Sequence, residues 1–285
     1  MWVPKGQAAR SKDDGAMKQT CQDLLDEYSE LDALCATLSA TQWHQRGPFH
    51  GWSAWDEVAH LCYFDETALQ AVLDEPAFSA GAAALNDQMA RGGQISAVAR
   101  AHFGPLQGPE LLQRWRNCYQ ALVQALSGLD AKARLPWYGP SMSARSFVTA
   151  RLMETWAHGQ DVWDLLPRRR PPSDRLRHIA HIGATTFGWS FANRGLPEPG
   201  MPPRVDLMAP GGQVWSWGEP GAESSVRGPA EDFCLVVTQR RHVDDTSLQV
   251  SGPAARQWMA IAQCFAGPPA DGPAPGVRSP RYENP

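Results

Sequence analysis

The chain lacks any run of about 18 apolar residues, so no segment reads as a membrane-crossing helix. Its first stretch, MWVPKGQAARSKDDGAMK, lacks the apolar centre of a secretion signal. There is no excess of positive charge either: 26 Lys and Arg stand against 30 Asp and Glu, for a net charge of -4. That balance removes the field by which nucleic acid or an anionic membrane is attracted. The one dense basic run, Arg168 to Arg170, is flanked by prolines and reads as a solvated linker. Nucleotide and hydrolase signatures are missing, with no G-x-S-x-G, no Walker loop and no dinucleotide fingerprint, and Gly211-Gly212 reads as a hairpin turn. The six cysteines show no C-x-x-C spacing and several fall among apolar helical residues. Reduced, buried thiols of a cytoplasmic protein are expected, with no disulfide framework.

What is present is a chain of 285 residues, 43% hydrophobic and with 12 Trp, long enough for two cored domains. Leu24, Leu25, Tyr28, Leu31, Leu34 and Leu38 recur at steps of three and four, predicting a helix over 18–38. Ser53, with Asp56 three residues on, caps a second helix that runs to about Glu75 and is stopped by Pro76. Residues 85–103 predict a shorter helix, and Pro109 opens one through Leu126 that Gly128 closes. Ser143 caps a long helix carrying Phe147, Leu152, Trp156 and Trp163, up to Pro167. Four principal helices read as a bundle over 17–167, after an extension over 1–16 that is expected to be disordered. Past the proline-rich linker at 167–172, a helix over 173–193 is expected, then strands at Arg204–Met208 and Gln213–Trp217. A helical pattern over 229–241, a strand at Ser247–Val250 and a helix from Pro253 complete the second part. The fold class is mainly α, a four-helix bundle followed by a smaller α+β domain at 173–266 and a Pro/Gly-rich tail at 267–285.

On the fourth principal helix Glu154 and His158 are four apart, so both face one side within reach of a common ion. Their neighbours Trp156, Ala157, Val162 and Trp163 make the helix a largely buried one, where a lone carboxylate is costly. His60 sits among Val58, Ala59, Leu61 and Cys62 on the second principal helix, as a core histidine or as a ligand. Two imidazoles and one carboxylate leave open positions for water or substrate, as in catalytic zinc sites, and the same set also holds iron or another divalent ion such as nickel. Asp56, one turn before His60, and Asp161, three after His158, are candidates to orient those imidazoles. His44 and His50 flank a Gly-Pro turn, and His178 and His181 lie on what reads as a solvated helical face.

The strings GWSAWDEVAHLCYFD around His60 and TARLMETWAHGQDVWD around Glu154 and His158, with GPAEDFCLVVTQRRH further on, resemble the mycothiol-dependent maleylpyruvate isomerase family of the DinB-like superfamily. The resemblance runs from Met17 to Gly267, and the segment Val205–Arg227 marks a branch of its own. It implies a DinB-like metal-binding bundle with His60, Glu154 and His158 as ligands of zinc. Mycothiol or another low-molecular-weight thiol is then the attacking cofactor. An arginine of the second domain binds the anionic substrate or cofactor, best matched by Arg240 with Arg241 beside it. The expected activity is a thiol-using isomerase or S-transferase acting on a small electrophilic, anionic substrate. Metal-bound water chemistry and a non-catalytic metal-binding sensor are the alternatives. A monomer or homodimer is expected, with no nucleic-acid or membrane partner.

Overall fold

The computed structural model describes residues 5–278 of the chain. Within it the chain divides into two compact units. Residues 1–4 and 279–285, which fall in the expected extension and tail, lie outside the described residues.

The first unit holds α1 (Lys5–Cys35), α2 (Ala40–His44), α3 (Ala54–Leu73), α4 (Glu75–Ala90), α5 (Ile95–Phe103) and α6 (Gly108–Ser127). A short hairpin follows, β1 (Arg134–Leu135) and β2 (Met142–Ser143), then α7 (Ala144–Trp163). Four of these helices form the bundle: α1 packs on α6 and α7, and α3 packs on the same two, so the order around the core is α1, α6, α3, α7. The α1 stripe of Leu24, Tyr28, Leu31 and Cys35 is buried completely. Burying each Leu of this kind contributes roughly 1.5–3 kcal/mol. The helix starts at Lys5, inside the stretch that composition had set apart from the fold.

At the centre sits a carboxylate. Asp65 of α3 accepts hydrogen bonds from Tyr28 of α1 (2.6 Å), Trp115 of α6 (2.8 Å) and Arg151 of α7 (2.9 Å). One residue from each principal helix thus meets on a side chain with no solvent exposure. Burial works against the Arg151 charge, yet the facing Asp65 holds its pKa above the ordinary value.

Local signals explain the helix ends. Ser53 and Asp56 form a complete capping box on α3, Ser143 caps α7, and Pro109 lies in the first turn of α6. Pro76 does not stop α3: the helix ends at Leu73, and Asp74 then caps α4, which carries the proline in its first turn. The join between the second and third principal helices is therefore α4 and α5, where one shorter helix is expected over 85–103. Gly108 is packed so closely on the Trp43 indole that a Cβ there would overlap the ring.

The second unit comprises residues from Leu166 onward together with Pro48–His50. It contains α8 (Leu176–Thr185), α9 (Phe187–Ala192), β3 (Arg204–Met208), β4 (Val214–Trp217), β5 (Ser225–Pro229), α10 (Ala230–Val237), β6 (Gln249–Ser251) and α11 (Pro253–Ile261). The sheet order is β4-β3-β5-β6, with β3 and β5 parallel and the other pairs antiparallel. Val205, Leu207, Trp215 and Val226 alternate onto the buried face, and Trp258 of α11 meets Phe187 and Phe233 edge-on. The expected single helix over 173–193 is broken at Thr186. The tail stays on this unit: Arg194 pairs with Asp271 at 2.9 Å, and the Asp245 carboxylate accepts from the Gly276 amide at 2.8 Å. All six cysteines are buried and none is in a disulfide. No helix among the described residues is long and apolar enough to cross a membrane.

Candidate metal centre

Helices α3 and α7 are neighbours, and each carries a polar stripe along their seam. On α3 Glu57 and His60 are three apart; on α7 Glu154, His158 and Asp161 follow at steps of four and three. Both spacings keep side chains on one helical face. One donor atom each from His60, Glu154 and His158 lie within 4.8 Å of one another. The His60 and His158 ring centroids are 4.3 Å apart, and His158 Nε2 stands 3.4 Å from a Glu154 carboxylate oxygen. Two ligands on a tetrahedral ion with bonds of about 2.1 Å are separated by about 3.4 Å, so this pair already has the spacing that zinc requires. His158 is buried, whereas His60 and Glu154 are half-buried.

The other face of His158 is closed by carboxylates. Nδ1 is 2.7 Å from Glu57, whose residue is 1% exposed. With Nδ1 donating its proton to Glu57, the Nε2 lone pair faces Glu154, which is the tautomer a metal ligand needs. Asp161 also places a carboxylate oxygen within 4.8 Å of donor atoms of Glu57 and His158. The Trp52 indole stacks on His158 at 5.9 Å and lies 5.4 Å from His60, covering a further side.

Of the residues singled out from sequence, His60, Glu154 and His158 are brought together and Asp161 lies beside them. Asp56, the candidate one turn before His60, has its carboxylate held by the Ser53 amide (3.0 Å), Arg100 (2.7 Å) and Arg46 (3.3 Å), and the carboxylate beside His158 Nδ1 is that of Glu57. Burial raises the Asp56 pKa, but the bonds from Arg100 and Ser53 outweigh it and hold the carboxyl below its ordinary value. Glu57 carried a signal that was passed over, its position one helical turn before His60 on an apolar stretch.

Arg240, in the second unit, is not on a helix: α10 ends at Val237, and Gln239 turns the chain with a φ of 59°. It is no exposed surface arginine, being 4% exposed. The guanidinium donates to the Thr238 carbonyl at 2.8 Å and stacks on Phe49 at 4.5 Å. Arg241 is buried as well and donates to the Arg240 carbonyl at 2.7 Å. His44 and His50 are exposed, and His181 accepts the Trp217 indole N–H at 3.1 Å.

Residues 24–163 match the mycothiol maleylpyruvate isomerase N-terminal domain. Two relatives, described as uncharacterised proteins of Mycobacterium tuberculosis strains CDC 1551 / Oshkosh and ATCC 25618 / H37Rv, are each 42% identical over 250 residues. Those alignments cover 88% of this chain and 96% of the relative. The chain belongs to the mycothiol maleylpyruvate isomerase N-terminal domain family. Crystal structures of the mycothiol-dependent maleylpyruvate isomerase and of a histidine-to-alanine variant of it share the fold. Each superposes with a TM-score of 0.53 at 13% identity, over 84% of this chain and 95% of the other. The family match spans all three converging residues, while the 13% identity restricts the structural likeness to the fold.

Proposed function

We propose that this protein is a metal-dependent enzyme of the isomerase type that uses mycothiol or another low-molecular-weight thiol on a small, anionic, conjugated substrate. The observation that carries the reading is the convergence of His60, Glu154 and His158, within 4.8 Å, in a chain of this family. The donor set fits a divalent ion: two imidazoles and a carboxylate with an approach left open suit zinc first, and iron or nickel second. His60, Glu154 and His158 would hold the ion, which would supply stabilisation of a thiolate. Such a thiolate could add to a carbon conjugated to a carbonyl, allow rotation about the resulting single bond and leave again, restoring the double bond.

The residues contribute in distinct ways. Glu57 holds the proton on His158 Nδ1 and keeps Nε2 turned toward Glu154. Trp52 shields the two imidazoles from water on one side. The half-buried His60 and Glu154 leave the donor cluster reachable from solvent. Arg240 is the residue assigned to the anionic group of substrate or thiol, since a guanidinium grips a carboxylate through two parallel bonds.

Metal analysis of the purified protein should find close to one equivalent per chain, and His158→Ala should lose most of it. Cobalt-substituted protein should develop sulfur-to-cobalt charge-transfer absorption on adding mycothiol. A site that retains its metal without His158 removes the assignment. A cobalt spectrum indifferent to every cellular thiol would direct attention to metal-bound water chemistry or a non-catalytic role.

A further inference from the structure

Beyond the donor cluster, the first unit continues outward from His60 as a wall of rings. Phe64 is one turn after His60 on α3, and the two ring centroids are 4.7 Å apart. Tyr138, in the loop joining β1 and β2, meets Phe64 edge-on at 5.5 Å, and Trp137 lies 6.3 Å from the same ring. Behind them Phe78 stacks on Trp137 at 5.8 Å with 6° between the planes, and Phe147 meets Trp137 at 5.0 Å. The rear pair is buried, at 2% and 1% exposure, whereas Phe64, Trp137 and Tyr138 keep part of their surface open. The loop is pinned at its base, where the Arg134 guanidinium bonds both the carbonyl and the hydroxyl of Ser141. This is therefore an aromatic surface, backed by buried rings and running up to an imidazole of the donor cluster.

Three arginines of α5, α6 and α7 are engaged by carboxylates. Arg114 is held by Glu66 at 2.7 Å, Arg151 by Asp65 at 2.9 Å and Arg100 by Asp56 at 2.7 Å. A carboxylate laid on the faces of Phe64 and Tyr138 would lose water and gain no hydrogen bond from the rings, which is costly. A flat conjugated carbon skeleton gains ring contact and loses nothing. Burial pushes the Tyr138 phenol up to about 12, so its hydroxyl stays neutral and adds no charge to the wall.

We infer that the reacting end of the substrate is a flat, apolar, conjugated skeleton seated on Phe64 and Tyr138 beside His60, and that any carboxylate lies remote from the double bond. The inference rests on the functional reading given above, and it narrows the substrate class to aryl- or alkenyl-conjugated carbonyl compounds rather than compact dicarboxylates.

Titration calorimetry on the full-length, metal-loaded protein without thiol tests it, with 4-phenylbut-3-en-2-one and maleate as probes. Phe64→Leu and Tyr138→Ala should each weaken the enone by about tenfold. Metal content and maleate affinity should stay as in the wild type. Phe64→Leu keeps an apolar side chain in the bundle, and a thermal melt confirms that both variants are folded. Unchanged enone affinity in both folded variants, or a loss of maleate affinity as large as that of the enone, overturns the inference. Because no thiol is present, these outcomes are separate from the cobalt–mycothiol spectrum that tests the functional reading.

Discussion

Glu57 of α3 and His158 of α7 meet at 2.7 Å, two buried side chains from different helices joined by one charge-assisted hydrogen bond. A carboxylate behind a ligating imidazole fixes its tautomer and raises its basicity, and removing such a partner typically costs about 10–100-fold in metal affinity. Glu57→Ala should therefore weaken metal binding by about that factor in a chelator competition. Glu57→Gln, whose amide oxygen still accepts from Nδ1, should lose less. Equal loss in both variants would mean that the charge matters more than the orientation, and no loss in either would detach Glu57 from the site.

The central carboxylate makes a separate prediction, about stability alone. Asp65 accepts from Tyr28, Trp115 and Arg151 with no solvent exposure, so Asp65→Ala leaves the Arg151 charge buried beside two further orphaned donors, Tyr28 and Trp115. Breaking one side of a buried ion pair costs about 3–5 kcal/mol. The urea midpoint should fall accordingly. The double variant Asp65→Leu with Arg151→Met, which removes both charges, should recover part of the loss.

The bundle was legible in sequence because its signals are local. Leu24, Tyr28 and Leu31 repeat with the helical period, and Ser53, Pro109 and Ser143 mark helix starts where the structure has them. The misreadings also have local causes. Pro76 is equally suited to stopping a helix and to opening one, and only Asp74, whose side chain accepts from the Ala77 amide, decides for opening. Strand β5 (Ser225–Pro229) was not anticipated, since Arg227, Gly228 and Pro229 give it little strand character, and its pairing with β3 and β6 is non-local. Glu57 was missed because adjacent carboxylates at 56 and 57 both fit the phase of His60. Which of them serves the helix cap and which the imidazole depends on α7 and Arg100, far away in sequence.

Asp56 predicts a pH dependence. Its folded pKa lies below the ordinary 3.8, so the stability it contributes is fully present above that value and is lost as pH falls through the lower folded value. The Asn oxygen still accepts from Ser53 but carries no charge, so Asp56→Asn should be about 1 kcal/mol less stable than wild type at pH 7. The two exposed arginine partners add little, being screened by solvent. The gap between the two proteins should narrow as pH drops below about 4, in parallel denaturation curves. A gap that stays constant to pH 2 would mean that the side chain acts through shape and not through charge.

The last prediction concerns Arg240, whose guanidinium lies 4.5 Å over Phe49 and donates to the Thr238 carbonyl. Both interactions depend on a planar, forked cation, and lysine reproduces neither of them fully. If this residue grips the anionic group of the substrate or thiol, Arg240→Lys should weaken that binding by roughly 1–3 kcal/mol, the size of a lost charge-assisted hydrogen bond. Metal content should not change, because Arg240 is outside the donor cluster of His60, Glu154 and His158. Some loss of melting temperature is expected from the Phe49 and Thr238 contacts, so a melt must accompany the titration. Phe49→Leu is the control: it removes the stacked ring and leaves the guanidinium in place. Reduced thiol or substrate affinity in Arg240→Lys but not in Phe49→Leu assigns the anion to Arg240. Wild-type affinity for both in a folded Arg240→Lys variant makes the arginine a structural element of the second unit.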